Sequence, residues 1–397
     1  MGLCSRKSEQ FTESVIRAMT RVCDRVGGIN LAQGFPDFPA PTVLKEAAKR
    51  AIDADYNQYA ITWGTRELRT AIAAKMERDN GVSCDPETEI TVTCGSTEAM
   101  IATLLAVVNP ADEIVIFEPF YENYGPDAVI SGATPVYVTL QPPGFTFDPA
   151  ALRAACTSRT KAIIVNTPHN PSGHVFSRAE LDVIAACCHE VDCLAITDEI
   201  YEYITYDGRA HVSLAGLPGM RERTITIGGL SKTYSVTGWR LAYAVAAAPL
   251  TEAIRRMHDF LTVGAPHPLQ VAGVCALELP PAYYRQLVAD YTSRRAILAE
   301  ALMAAGFRIV VPEGAYYILA DISALAQVGD VRFCDWLVRE AGVAAVPGSS
   351  FYHDAEAGRH LIRFAFCKRE DTLREAGHRL ARVPELLATK PPRSEGG

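Results

Sequence analysis

The sequence predicts an α/β protein, with a mostly parallel sheet in a large domain and a smaller α+β domain beside it. Three observations carry this. Through the middle of the chain, short apolar runs alternate with helical patterns, the signature of βαβ units. Those runs are nearly continuous in small and branched apolar residues, as strands covered on both faces require. In the last third the pattern changes to longer helices around short strands, which marks a second, α+β unit.

The elements follow in order. The run 89–94 is a strand and 96–108 the helix after it. Strands follow at 113–117 and 161–166, a helix at 178–190, and strands at 193–197, 223–228 and 240–247. The last third carries helices at 251–261 and 281–305, short strands at 308–311 and 316–320 around Glu313-Gly314, a helix at 333–341 and a strand at 360–366. Residues 1–44, with the Pro-rich Gly34-Phe35-Pro36-Asp37-Phe38-Pro39, are expected to form an N-terminal arm and part of the small domain. Residues 45–285 then form the large domain, 286–385 the C-terminal small domain, and 386–397 a flexible tail.

Composition narrows the function. Of 397 residues, 49% are hydrophobic and 21% charged, enough to bury a large core and exclude wholesale disorder. The formal net charge of −8 argues against a nucleic-acid binder. Apolar runs such as 99–108 fall short of the roughly 20 residues that span a bilayer, and no basic-then-apolar signal opens the chain. The start Met1-Gly2-Leu3-Cys4 has Arg6 where a lipidation signal wants Ser or Thr, so it reads as an ordinary beginning. Eleven scattered cysteines suit reduced thiols in a cytoplasmic protein. Cys187-Cys188-His189 with Cys193 has no second ligand pair at zinc spacing, so buried thiols are expected and no metal.

In a wound α/β sheet, ligands bind beyond the carboxyl ends of the strands. After 89–94 comes Gly95-Ser96-Thr97, where a helix start and two hydroxyls make either an anion site or a plain N-cap. After 161–166, Pro168 and Pro171 bracket Asn170 in a stiff loop that presents an amide, or forms an ordinary βα turn. After 193–197, Asp198 needs a cationic or donor partner if buried, or caps a helix. After 223–228, Lys232 lies in a Gly/Ser/Thr-rich loop where desolvation and cationic neighbours make a nucleophilic amine, and Arg240 can grip a phosphate. The spacing is not that of a P-loop. One cofactor uses all these parts: pyridoxal phosphate, which needs a lysine, a carboxylate at its ring nitrogen, a phosphate cup and an aromatic cover.

Asn170-Pro171-Ser172-Gly173, Asp198-Glu199-Ile200-Tyr201, Ser231-Lys232-Thr233-Tyr234 and Thr237-Gly238-Trp239-Arg240 together resemble the marks of the class I/II aminotransferases of fold type I. Leu31-Ala32-Gln33-Gly34, Tyr56-Asn57-Gln58-Tyr59 and Pro347-Gly348-Ser349-Ser350-Phe351 resemble the branch holding kynurenine, glutamine and methionine aminotransferases. The likeness runs from about residue 29 to about 382. It implies a seven-stranded large-domain sheet, pyridoxal 5′-phosphate as cofactor, and ping-pong transfer of an amino group from an α-amino acid to a 2-oxo acid. It also implies roles: Lys232 as the aldimine-forming base, Asp198 at the pyridine nitrogen, and Tyr201 with Asn170 at the phenolic oxygen. Ser96, Thr97, Ser231 and Arg240 would hold phosphate, and Tyr121 would stack on the ring. Arg363, with the Gly34 backbone and Asn170, would take the substrate carboxylate. Tyr59 would reach the partner's cofactor in a homodimer with interfacial sites. Tyr121, Phe35, Tyr59 and His267 would favour aromatic, methionine-like or glutamine-like side chains. Two departures stand out: Gly229 where relatives carry Ser or Thr, and His174 where a lysine often follows the Asn170 motif. The same scaffold also hosts elimination, replacement, cyclisation and oxidation. A cofactor-sensing DNA-binding regulator is disfavoured by the acidic balance and by motifs that begin at Leu31.

Overall fold

A computed structural model describes residues 13–392 together with Cys4, Glu9 and Phe11. The expectations about Met1-Gly2-Leu3 and Arg6 and about 393–397 lie outside the described residues. In chain order the strands are β1 (Ile29–Asn30), β2 (Ile90–Thr93), β3 (Glu113–Glu118), β4 (Thr134–Thr139), β5 (Thr160–Asn166), β6 (Leu194–Asp198) and β7 (Thr224–Gly229). They continue with β8 (Ala242–Val245), β9 (Arg308–Ile309), β10 (Tyr317–Asp321), β11 (Val343–Ala344), β12 (Val346–Pro347) and β13 (Leu361–Ala365).

Seven strands form one sheet in the order β2-β8-β7-β6-β5-β3-β4. All neighbours are parallel except β8, which runs antiparallel to both β7 and β2. Ile114, Ile116, Ile164, Ile196 and Ile225 feed the core on one face, Val115, Ile163, Val165 and Ala195 the core on the other. Burial on both faces explains the unbroken apolar runs. Register then decides the chemistry: Asn166 pairs with Asp198, and Asp198 with Ile227, so β5, β6 and β7 end level at one edge.

Some expectations shift. The strand expected over 240–247 spans only Ala242–Val245, because Arg240 sits at φ 53°, a left-handed backbone incompatible with a strand. β4 had no sequence signal of its own: it is an edge strand, half exposed, with Pro135 inside it. The helix expected over 333–341 begins at Asp330 and closes on a π-helical turn, Leu337–Ala341.

A second sheet, β12-β13-β10-β9, is antiparallel throughout. β1 pairs in parallel with β11, and Ala365 N–H donates to Leu31 O at 2.7 Å, so the N-terminal segment is stitched to C-terminal strands. The boundary expected near 285 falls within one continuous helix, Pro281–Ala304. Tyr283 and Tyr284 at its start pack with Tyr234 on the large-sheet side, whereas Leu287, Tyr291, Leu298 and Leu302 enter the small-sheet core. Residues 386–389, expected in a tail, are helical. Val383–Thr389 is a helix that buries Val383 and Leu386, and Trp336 Nε1–H donates to Lys390 O at 2.7 Å.

Beneath the level strand ends, Lys75 on the helix Arg66–Asn80 is 2% exposed and paired with Glu202. Removing one partner of a buried pair leaves the other charge unsatisfied. Lys75→Met is therefore expected to lower unfolding stability by about 3–5 kcal/mol, measured by urea denaturation.

Candidate active site

The ends of β5, β6 and β7 and the start of the helix Ser96–Val107 surround one cleft with about 510 Å³ of empty space. Ser96, Thr97, Tyr121 and Asn170 line it, as do Asp198, Tyr201, Ser231, Lys232 and Arg240. Nine residues drawn from separate motifs therefore meet at one place.

Asp198 closes β6 and is buried. Its Oδ2 accepts from Tyr124 Oη–H at 2.7 Å and its Oδ1 from Ile200 N–H at 3.3 Å. Both donors are neutral, and no Lys, Arg or His among the described residues pairs with it. Burial accordingly raises its pKa, against the pull of Tyr124, Ile200 and Lys232. Asn166, level with it on β5, braces the strand ends: Nδ2 donates to Asp198 O at 2.9 Å and Oδ1 accepts from Asn170 N–H at 2.7 Å.

Lys232 follows β7, its ammonium 6.0 Å from the centroid of the Tyr201 ring. Burial chiefly pushes its pKa down to about 8; Arg240 and Arg363 add to this, while Cys367 and Asp198 oppose it. An amine so tuned is half neutral near pH 8, as a nucleophile needs.

The helix Ser96–Val107 starts on Gly95, which contributes no side-chain cap. Ser96 and Thr97 are therefore its first helical residues, not its N-cap, and the free amides stay available to an anion. Gly95 has φ 89°, and a Cβ there would stand 2.6 Å from Arg240 Cζ. Only glycine lets the guanidinium lie across the helix start. Gly229 has a packing reason too: a Cβ would come 2.8 Å from Ile200 Cδ1 and 2.9 Å from Ala242 Cβ, so a hydroxyl-bearing residue does not fit there.

Arg363 on β13 is 1% exposed. Its Nη1–H donates to Asn170 Oδ1 at 2.8 Å and its Nη2–H to Ala32 O at 2.9 Å, while Nε has no partner. The guanidinium lies over Tyr317 and Phe351, 4.2 and 4.8 Å from their centroids. A buried cation that touches only neutral oxygens and aromatic faces suits a carboxylate. Gly34 lies beside it, where a Cβ would be 2.8 Å from Tyr317 Cζ. Tyr59 is not in this cleft. It is 86% exposed and lines a separate hollow with His267 and Gly264.

Sequence reasoning missed Tyr124, Asn166 and Tyr317. Asn166 was reachable, since it ends a strand beside Asp198. Tyr124 and Tyr317 (Oη 3.0 Å from Tyr201 Oη) become visible only once the small sheet and the helix Tyr124–Ser131 close over the strand ends. Cys187, Cys188 and Cys193 are buried free thiols.

The profile of the family "Aminotransferase class I and II" matches residues 26–380. A probable N-succinyldiaminopimelate aminotransferase of Mycobacterium tuberculosis is 40% identical over 96% of this chain and 98% of its own length. A methionine aminotransferase of Escherichia coli is 39% identical over 95% and 97%. The solved structures of the N-succinyldiaminopimelate enzyme from M. tuberculosis and of YbdL from E. coli superpose with TM-scores of 0.93 and 0.92, at 40% and 38% identity; each match covers 96% of this chain and 100% of the other. The chain belongs to the class I and II aminotransferases, a family that uses pyridoxal phosphate, and it is an aminotransferase of fold type I.

Gly95→Ala should displace Arg240 and weaken pyridoxal phosphate binding by about tenfold, roughly 1.4 kcal/mol, with far-UV circular dichroism unchanged. An absorbance titration of cofactor-free protein measures it.

Proposed function

We propose that this chain binds pyridoxal 5′-phosphate in the Lys232 cleft and uses it to move an amino group between an α-amino acid and a 2-oxo acid. One observation carries the proposal. Asp198 is a buried carboxylate with only neutral donors, facing the same cleft as an amine of lowered proton affinity. A protonated pyridine nitrogen supplies the missing cation, and the donor set suits the rest of the molecule.

When bound, the cofactor supplies an aldehyde that carries the amino group and a ring that spreads the electron pair left at the substrate Cα. Lys232 is the base of the site: its Nζ takes the Cα proton and returns it. Asp198 holds the ring nitrogen protonated. Tyr201 and Asn170 serve the phenolic oxygen, Ser96, Thr97, Ser231 and Arg240 the phosphate, and Tyr121 covers the ring. Arg363, beside Gly34 and Asn170, takes the substrate carboxylate as a two-bond fork. Donor and acceptor carry the same carboxylate, so both half-reactions share one site and the kinetics are ping-pong.

Tyr59 and the patch around it support a homodimer. Tyr59, Phe260 (90% exposed), Leu261 and Val263 are large apolar residues left in the open, and the 56–62 and 260–267 segments adjoin. A second copy covers them and brings its Tyr59 to this chain's phosphate site. Phe35 and Tyr121, with methionine named as the substrate of one relative, favour an aromatic or methionine-like amino acid.

Lys232→Ala is expected to abolish turnover, with full turnover in that variant overturning the assignment. Mixed with single amino acids, the wild type should yield the matching 2-oxo acid and an equal amount of aminated cofactor. Retention of the amine in a new bond would instead indicate the elimination or replacement chemistries. Arg363→Ala should keep the cofactor and its absorbance but lose about 100-fold in kcat/KM, near 3 kcal/mol, in steady-state assays with the best amino acid of that panel.

A further inference from the structure

His174 closes the loop that carries Asn170, and its imidazole, 8% exposed, lies between two carboxylates. Nε2 is 3.0 and 3.2 Å from the carboxylate oxygens of Glu180, on the helix Arg178–Glu190. Nδ1 is 3.6 Å from Glu313 Oε2, in the turn that leads into β10. A neutral imidazole has one N–H to donate. A carboxylate hydrogen-bonded at Nε2 and a second one at ion-pair distance from Nδ1 favour the doubly protonated ring.

The other groups around it agree. Glu180 Oε2 also accepts from the Ser177 N–H and hydroxyl, and Glu313 is paired with Arg209 and accepts from Val175 N–H. Burial works against the charge on His174, but Glu180 and Glu313 outweigh it and its pKa is raised. Both carboxylates are in turn held below their usual range. His169, on the same loop, is pushed down to about 3 by burial and by His174, and stays neutral with its Nδ1 2.7 Å from Ser172 Oγ. Phe176 packs on the His174 ring at 5.0 Å. Within this group, His174 is the histidine whose charged form its neighbours favour.

The link joins two parts of the site. Glu313 and Gly314 N–H donate to Gly173 O at 2.9 and 2.8 Å, and the turn runs on to Tyr316 and Tyr317. On the other side, the loop carries Asn170, whose Oδ1 accepts from Arg363. We propose that His174 is a positioning residue: as an imidazolium it clamps the Asn170 loop between the helix Arg178–Glu190 and the Glu313 turn, and so fixes the Asn170–Arg363 contact that receives the substrate carboxylate. This rests on the assignment of Arg363 to that carboxylate.

The sign of the pH dependence follows from linkage. A histidine whose folded pKa is raised contributes stability that is complete below its unfolded pKa, about 6.5, and fades as pH rises through the folded pKa. The test uses the holoenzyme as wild type, His174→Gln, His174→Lys and Glu313→Gln. In thermal unfolding between pH 5.5 and 9, the advantage of wild type over His174→Gln should be largest below pH 6.5 and shrink toward pH 9. An advantage that is flat or grows with pH overturns the clamp. In kinetics with the best amino acid of the panel, KM of His174→Gln and of Glu313→Gln should exceed wild type about fivefold at pH 6, with kcat within twofold. The ratio for His174→Gln should fall toward one as pH rises. His174→Lys, which stays charged, should match the wild-type KM at pH 6 and fall below it as pH rises. Titration of the amino acid itself cancels in these ratios. Ratios near one at every pH overturn the positioning role, and Arg363→Ala then shows where the failure lies. If Arg363→Ala loses kcat/KM, the clamp alone is wrong; if it does not, the carboxylate assignment has failed first.

Discussion

A carboxylate buried without a cation is the constraint around which this molecule is arranged. Three acids lie at or just after the end of β6, and two find a basic side chain within the protein. Glu199 lies 2.9 Å from His211 and accepts from the Ser213 hydroxyl, and Glu202 pairs with Lys75. Asp198, between them and the cleft, receives only Tyr124 and a backbone amide. An unpaired buried charge is costly, and at Asp198 that cost falls where the side chain faces open space lined by a lysine and an arginine.

The surrounding architecture holds that position in place. The 200–206 segment after Asp198 contributes Ile200, Tyr201, Ile204 and Tyr206 to the small-sheet core, so the turn that carries Tyr201 belongs physically to both halves. Tyr201 and Tyr317 meet at 3.0 Å across that junction, and Arg363 reaches Asn170 across it. The small sheet therefore closes one side of the cleft, through Tyr317. A site made by two halves can bind a substrate in one and orient it with the other.

Much of this was legible in the sequence. The strands buried on both faces announce themselves, because a run such as Ala162–Val165 has no polar position to hide. The motifs after β2, β5, β6 and β7 could be placed at one edge because a parallel sheet puts every carboxyl end on the same side. β4 was hidden by Pro135 and by its half-exposed edge position. The helix Val383–Thr389 was hidden because Pro391, Pro392 and the glycines beyond them lend the whole C-terminus the composition of a tail, although Leu386 is buried. Tyr124 and Tyr317 depend on side chains converging from distant segments, which no local pattern records. Arg363 is the opposite case: on a strand in sequence it resembles any surface arginine, and only its burial without a carboxylate singles it out.

The helix Pro281–Ala304 has a mechanical consequence. At 1.5 Å per residue its 24 residues make a strut of roughly 36 Å. At one end Tyr283 Oη–H donates to Thr233 O at 2.7 Å, next in sequence to the lysine; the other end is embedded among Leu298, Leu302 and Phe307. A rod anchored this way ties the core of the small sheet directly to the segment that carries Lys232, so the two halves cannot be displaced independently of it.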